Sequence, residues 1–201
     1  MKHKNPKKDF NMIVVGTGGQ GQIILLQIVA RAALEEGYDV KTSELHGLSQ
    51  RGGSVEVHLR FGRKIYSPLI PQGEADLILG LEMQECLNAV HFSNSKTTFL
   101  INKYIVPISL QKAIPEEEIL KNLKKITKNI ILISAAEICQ KEFGTNVVSG
   151  IYLLSFASFK NLIPLKSNSI IKAVKKIVPK KYFELNQKTF ELAKKGEKST
   201  N

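Results

Sequence analysis

The chain has no tryptophan, two cysteines and four arginines among its 201 residues, and each shortage narrows what it can be. Cys86 and Cys139 stand singly and far apart. Neither has the CxxC or CxxH spacing that zinc or an iron–sulfur cluster requires, so the chain is expected to bind no metal or cluster by itself. No apolar run reaches the roughly 18 residues of a spanning helix, and the basic start Met1 to Asp9 leads straight into the first apolar segment. A soluble, cytoplasmic protein without membrane contact is expected. The shortage of arginine bears on the net charge of +11, which invites a nucleic-acid reading. Residues 1–100 hold 11 basic and 10 acidic side chains, so about +10 of the charge lies in the second half, in lysine-rich segments. Proteins that read bases and phosphates lean on arginine forks interleaved with aromatics, whereas lysine-rich helical faces are commonly solvated surface. No nucleic-acid partner is expected.

What is present is enough for a core: 43% of the residues are hydrophobic and 23% charged, as in a single globular domain. Phe10 to Val15 is almost wholly apolar, as suits a strand buried on both faces of a parallel sheet. A helix over about Gln20–Glu36, carrying Ile23, Ile24, Ile28 and Ala32 and stopped by Gly37, follows it. Tyr38 to Ser43 reads as a second strand, completing a β-α-β unit. In Val55 to Phe61, apolar residues alternate with Glu56, His58 and Arg60, the period-two signature of a strand with one face less buried. If Gly62-Arg63 turns the chain back into a strand at Lys64–Tyr66, the sheet becomes mixed. Beyond it, strands are read at Asp76–Gly80, Thr97–Ile101 and Ile130–Ile133. Helices are read at Leu81–Phe92, after Pro115, at Ala135–Phe143, Val147–Phe159, Asn168–Ile177 and Lys180–Lys195. Val147–Phe159 is apolar nearly all round and should be central. The expected fold is a three-layer α/β/α, Rossmann-like domain over residues 10–196 with a mostly parallel sheet. Residues 1–9 are expected to form a basic flexible leader and residues 197–201 a frayed tail.

Two segments stand out. Gly16-Thr17-Gly18-Gly19-Gln20-Gly21 joins a strand to a helix in the spacing of a dinucleotide fingerprint, where glycines permit close backbone approach and a helix N-terminus offers N–H groups to an anion. The same glycines are equally suited to packing helix on strand. A dinucleotide site also wants an acid near the end of the second strand, a place that Glu44 holds. The second segment is His46-Gly47-x-x-Gln50-Arg51-Gly52-Gly53-Ser54. A guanidinium followed by two glycines lets a planar cation and backbone N–H groups converge on one carboxylate or phosphate. His46 could move a proton, but no Ser, Cys or Asp partner stands at a triad spacing. Both segments should emerge at the carboxyl ends of their strands, where open α/β sheets bind ligands. His58 is read as packed or superficial. Glu82 and Glu85 are read as an exposed pair, Glu82 being the candidate for the crevice.

Together with Arg60-Phe61-Gly62, Ala75-Asp76-Leu77, Gly80-x-Glu82 and the late Lys180-x-x-x-Glu184-x-Asn186 followed by Phe190, these segments resemble the gamma-type domain of 2-oxoacid:ferredoxin oxidoreductases. The His-Gly-x-x-Gln-Arg-Gly-Gly run is most similar to the indolepyruvate branch. The resemblance implies a non-cofactor subunit, inactive alone. A large alpha subunit would hold thiamine diphosphate and [4Fe–4S] clusters, decarboxylate an aryl-2-oxoacid, reduce ferredoxin and pass the acyl group to coenzyme A. It also implies that His46, Gln50, Arg51, Gly52, Gly53 and Ser54 form a substrate, cofactor or partner edge. Gly16, Gly18, Gly19 and Gly21 would be the place for an anion or coenzyme A phosphate. The lysine-rich leader and tail have no counterpart in the family pattern. The rival expectations are a free-standing Rossmann-type NAD(P) oxidoreductase and a lysine-rich nucleic-acid-binding module.

Overall fold

The computed structural model describes residues 9–46, 53–106 and 113–198. Gln50, Arg51 and Gly52, most of the basic leader and the last three residues lie outside them. Among the described residues, six strands form one sheet: β1 (Phe10–Thr17), β2 (Asp39–His46), β3 (Ser54–Gly62), β4 (Leu77–Gly80), β5 (Thr98–Asn102) and β6 (Ile130–Ile133), in the order β2-β3-β1-β4-β5-β6. β1, β4, β5 and β6 run parallel. β3 lies between β1 and β2 and is antiparallel to both. The sheet is therefore mixed, as the sequence allows, but through β3 and not through a hairpin at Lys64–Tyr66. There the Ile65 N–H donates to Asp39 Oδ2 at 2.8 Å, tying the segment to the start of β2, and no strand forms.

The helices are α1 (Gln22–Glu35), α2 (Glu85–Asn88), α3 (Glu116–Lys124), α4 (Ala135–Phe143), α5 (Ser149–Phe159), α6 (Ser167–Ile177) and α7 (Lys180–Lys198). Local chemistry explains their limits. Gly37 and Gly144 follow α1 and α4 in the left-handed conformation, at φ 82° and 69°. Pro115 opens α3, with Glu116, Glu117 and Glu118 in its first turn and Lys121 and Lys124 in its last, as the helix dipole favours. The expected helix Leu81–Phe92 shrinks to α2 and a 3₁₀ turn at Val90–Phe92. Its first residues are bonded elsewhere: Met83 N–H goes to the Tyr104 carbonyl at 3.0 Å and Glu85 N–H to the Glu82 carboxylate at 2.8 Å.

Two cores flank the sheet. One joins Met12, Val14, Val57, Leu59, Leu79 and Leu100 to α1, α4, α5, α6 and α7. The other joins Ile13, Val15, Ile78, Phe99 and Ile101 to α2, α3 and the segment around Ile70 and Met83. α5 is buried from Gly150 to Ser158, the central helix its composition implies. On β3 the polar face is covered as well. His58 is 1% exposed; its Nδ1 accepts the Ile70 N–H at 3.1 Å and its Nε2 lies 2.8 Å from Glu56 Oε1. The Arg60 guanidinium donates to Asn11 Oδ1 at 2.9 Å and to the Ser67 and Leu69 carbonyls. The 65–70 segment is thus fastened over this face by polar contacts.

Candidate functional site

The strand register brings the two singled-out segments together. β1 and β2 end on the same side of the sheet, and β3 starts there, with Thr17 opposite Ser54 and His46 opposite Val55. The Gly18 N–H donates to the Gly53 carbonyl at 2.8 Å, so the glycine loop holds the end of the second segment directly. Ser54 Oγ donates to Glu85 Oε2 at 2.5 Å, and Asn88 Nδ2 donates to the same oxygen at 2.9 Å.

The glycine loop is closed on itself more than a dinucleotide cradle would be. Gln20 Oε1 accepts the Thr17 N–H at 2.9 Å, and Gln22 Nε2 donates to the Thr17 carbonyl at 2.8 Å. A Cβ on Gly16 would run into both of these amide groups and lie 3.1 Å from Leu81 Cβ, so Gly16 serves close approach. Gly19 and Gly21 supply the left-handed turn, at φ 99° and 85°, and Gly18 does not.

Glu82 departs from expectation. Its side chain is not exposed: the residue is 1% accessible, Oε2 accepts the Glu85 N–H at 2.8 Å and Oε1 the Val106 N–H at 3.2 Å. Burial raises its pKa above the ordinary carboxylate value despite these bonds. Glu82 is an internal brace between the end of β4 and the segment after β5. Glu85, half-buried beside it, reaches Ser54.

A polar crevice of about 260 Å³ opens at the ends of β1 and β5. Its walls include Gly18, Gly19, Asn102, Tyr104 and the first turns of α4 and α5 at Ala136 and Ser149. Asn102 was not foreseen from the sequence. It is 1% exposed, donates to the Leu81 carbonyl at 3.2 Å and accepts the Ala136 N–H at 3.1 Å, joining β4, β5 and α4. The available signal was a polar residue closing an apolar strand, as Thr17 closes β1. No charged side chain lines this crevice among the described residues. Its described walls carry hydroxyl and amide groups that can hydrogen-bond a ligand.

An iron–sulfur cluster does not fit the cysteines present. Cys86 and Cys139 are both fully buried and belong to the cores on opposite faces of the sheet. Burial pushes the Cys139 thiol up to about 11 and Cys86 further still, the reverse of what a thiolate ligand needs. Among the described residues no group of three or more His, Cys, Asp or Glu side chains could hold a metal ion, and no helix is long and apolar enough to cross a membrane.

Comparison with known proteins gives this mixed sheet, with its braced strand-end edge, a class. Residues 11–196 match the family profile of pyruvate ferredoxin/flavodoxin oxidoreductase, and the chain belongs to that family. It is 38% identical over 190 residues to the indolepyruvate oxidoreductase subunit IorB of Archaeoglobus fulgidus, spanning 90% of this chain and 92% of that one. It is 31% identical over 196 residues to the subunit of the same name from Thermococcus kodakarensis, spanning 95% and 97%. The chain is thus a small subunit of a multi-subunit 2-oxoacid:ferredoxin oxidoreductase. In fold it resembles the gamma subunit of the keto/oxoacid ferredoxin oxidoreductase of Geobacter sulfurreducens, with a TM-score of 0.68 at 19% identity over 94% of this chain and 99% of that one.

Proposed function

We propose that this chain is the cofactor-free subunit of a cytoplasmic indolepyruvate, or aryl-2-oxoacid, ferredoxin oxidoreductase. The larger subunit would hold thiamine diphosphate and [4Fe–4S] clusters, with coenzyme A and ferredoxin as co-substrates. When bound there, thiamine diphosphate supplies the decarboxylation chemistry and the clusters carry electrons. This chain presents an edge. The observation that carries the reading is the Gly18–Gly53 bond, which ties the glycine loop to the Gly53–Ser54 end of the second segment, in a chain similar over nearly its whole length to indolepyruvate oxidoreductase subunits. In this reading Arg51, Gln50 and His46 meet an acidic or phosphate-bearing group of the partner or of coenzyme A. The crevice beside Gly18 and Gly19 is the neighbouring place for a neutral part of that ligand.

The test is purification of the chain alone and together with the larger subunit. The isolated protein should contain no stoichiometric iron and oxidise no 2-oxoacid. The complex should reduce ferredoxin with indolepyruvate and coenzyme A, at a higher kcat/KM than with pyruvate. Stoichiometric iron or turnover in the folded, isolated chain would refute the reading.

A further inference from the structure

Next to the polar crevice, and sharing Gly19, Gln20 and Val147 with it, lies an apolar groove of about 520 Å³ between the first turns of α1 and α5 and the α6–α7 junction. Three apolar side chains stand open in its walls: Val147 is 80% exposed, Tyr182 49% and Ile24 39%. Two of the polar side chains that border the groove are engaged with backbone. Gln20 accepts the Thr17 N–H, and Asn186 Nδ2 donates to the Tyr182 carbonyl at 2.7 Å. A small-molecule site would need polar groups converging on its ligand. An apolar floor with a charged rim has instead the composition of a protein interface.

The rim selects the occupant. Lys180 and Lys181 are exposed beside Pro179 and Tyr182, and Lys181 Nζ sits 4.7 Å from the centre of the Tyr182 ring. Glu184, the nearest acid in sequence, pairs with Lys188 at 2.7 Å. A second copy docking here about a two-fold axis would put the same lysines into the interface twice, between chains that each carry +11. We infer that this groove seats an acidic segment of the larger subunit, with an apolar side chain packed between Val147 and Tyr182. The inference rests on the subunit reading above and adds where the subunits meet. Because groove and crevice share a wall, docking here would also cover the crevice and the glycine loop.

The test is titration of the purified larger subunit with wild-type chain and with Val147→Glu, Tyr182→Ser and the double variant Lys180→Glu/Lys181→Glu. Leu34→Glu is the control, an exposed apolar residue outside the groove. Wild type and Leu34→Glu should bind alike. Val147→Glu and Tyr182→Ser should raise Kd at least tenfold with unchanged melting of the lone chain. The lysine double variant should weaken binding and flatten its dependence on salt. If Val147→Glu and Tyr182→Ser bind as wild type does, the groove inference is overturned while the subunit reading stands. If wild type does not bind the larger subunit at all, both fail. A lone-chain dimer that Val147→Glu disperses would make the occupant a second copy and overturn the inference.

Discussion

The parallel half of the sheet and its β2–β3 edge are held by different means. In β1, β4 and β5 the central residues, Met12–Val15, Leu77–Leu79 and Phe99–Ile101, are all at most 1% exposed, and both faces of each strand are sealed by apolar packing. In β3 only alternate residues are apolar. The other face, Glu56, His58 and Arg60, is covered by a segment fastened to it through hydrogen bonds. The two regimes meet at the Thr17–Ser54 register, where the glycine loop meets the Gly53–Ser54 end of the second segment. The apolar half is thus sealed on both faces, and the amphipathic half begins at that junction.

The largest expected effect breaks the apolar half. Phe99→Ala should cost about 3–5 kcal/mol by removing a fully buried ring, whereas His58→Ala should cost about 1–3 kcal/mol by leaving the Ile70 N–H without its acceptor. Urea denaturation of the two variants makes the comparison, and equal losses would erase the distinction. At the junction, Gly16→Ala should cost about 1–3 kcal/mol, because its Cβ displaces the Gln20 and Gln22 amides. Gly19→Ala should cost about 1–2 kcal/mol through its left-handed backbone alone, since nothing lies within 4 Å of its added Cβ. Thermal melting separates the two if Gln20→Ala relieves only the Gly16 variant.

A smaller effect concerns Glu82. Burial raises its folded-state pKa, so the folded chain holds that proton more tightly than the unfolded chain does. The resulting stability is complete below the ordinary value of 4.5 and is lost as pH rises through the raised value. Wild type should therefore lose stability relative to Glu82→Gln as pH climbs above 4.5. Denaturation curves at several pH values check the slope, and a flat or opposite difference would contradict the upward shift.

The parallel strands were legible because a doubly buried strand is a short apolar run, and most helix ends because glycine, proline and charge punctuate them. The helix expected at Leu81–Phe92 failed for a reason that composition does not carry. Its first N–H groups are taken by Tyr104, distant in sequence, and by the Glu82 side chain turned inward. The insertion of β3 between β1 and β2 was equally hidden, since alternation identifies a half-buried strand but not its neighbours. Of the candidate site, the emergence of β1 and β2 at one end of the sheet was legible, but the contact made just before β3, at Gly53, was not. The brace through Glu82 and Glu85 and the bridging role of Asn102 were not, because each depends on one side chain meeting backbone from another element.

The strand-end edge is expected to act in the complex and not in the fold of the lone chain. The direct measurement pairs the melting temperature of the isolated chain with turnover of the reconstituted complex for Arg51→Ala, and for Arg63→Ala, an exposed residue at the far end of β3. Both lone variants should melt as wild type does, within the roughly 0.5 kcal/mol of an ordinary surface substitution. Only Arg51→Ala should lower kcat/KM for the 2-oxoacid or coenzyme A, by about tenfold or more, as loss of a charge-assisted pair of about 1.5–3 kcal/mol implies. Equal turnover of the two variants, or unfolding of the isolated Arg51→Ala chain, would contradict the assignment of this edge.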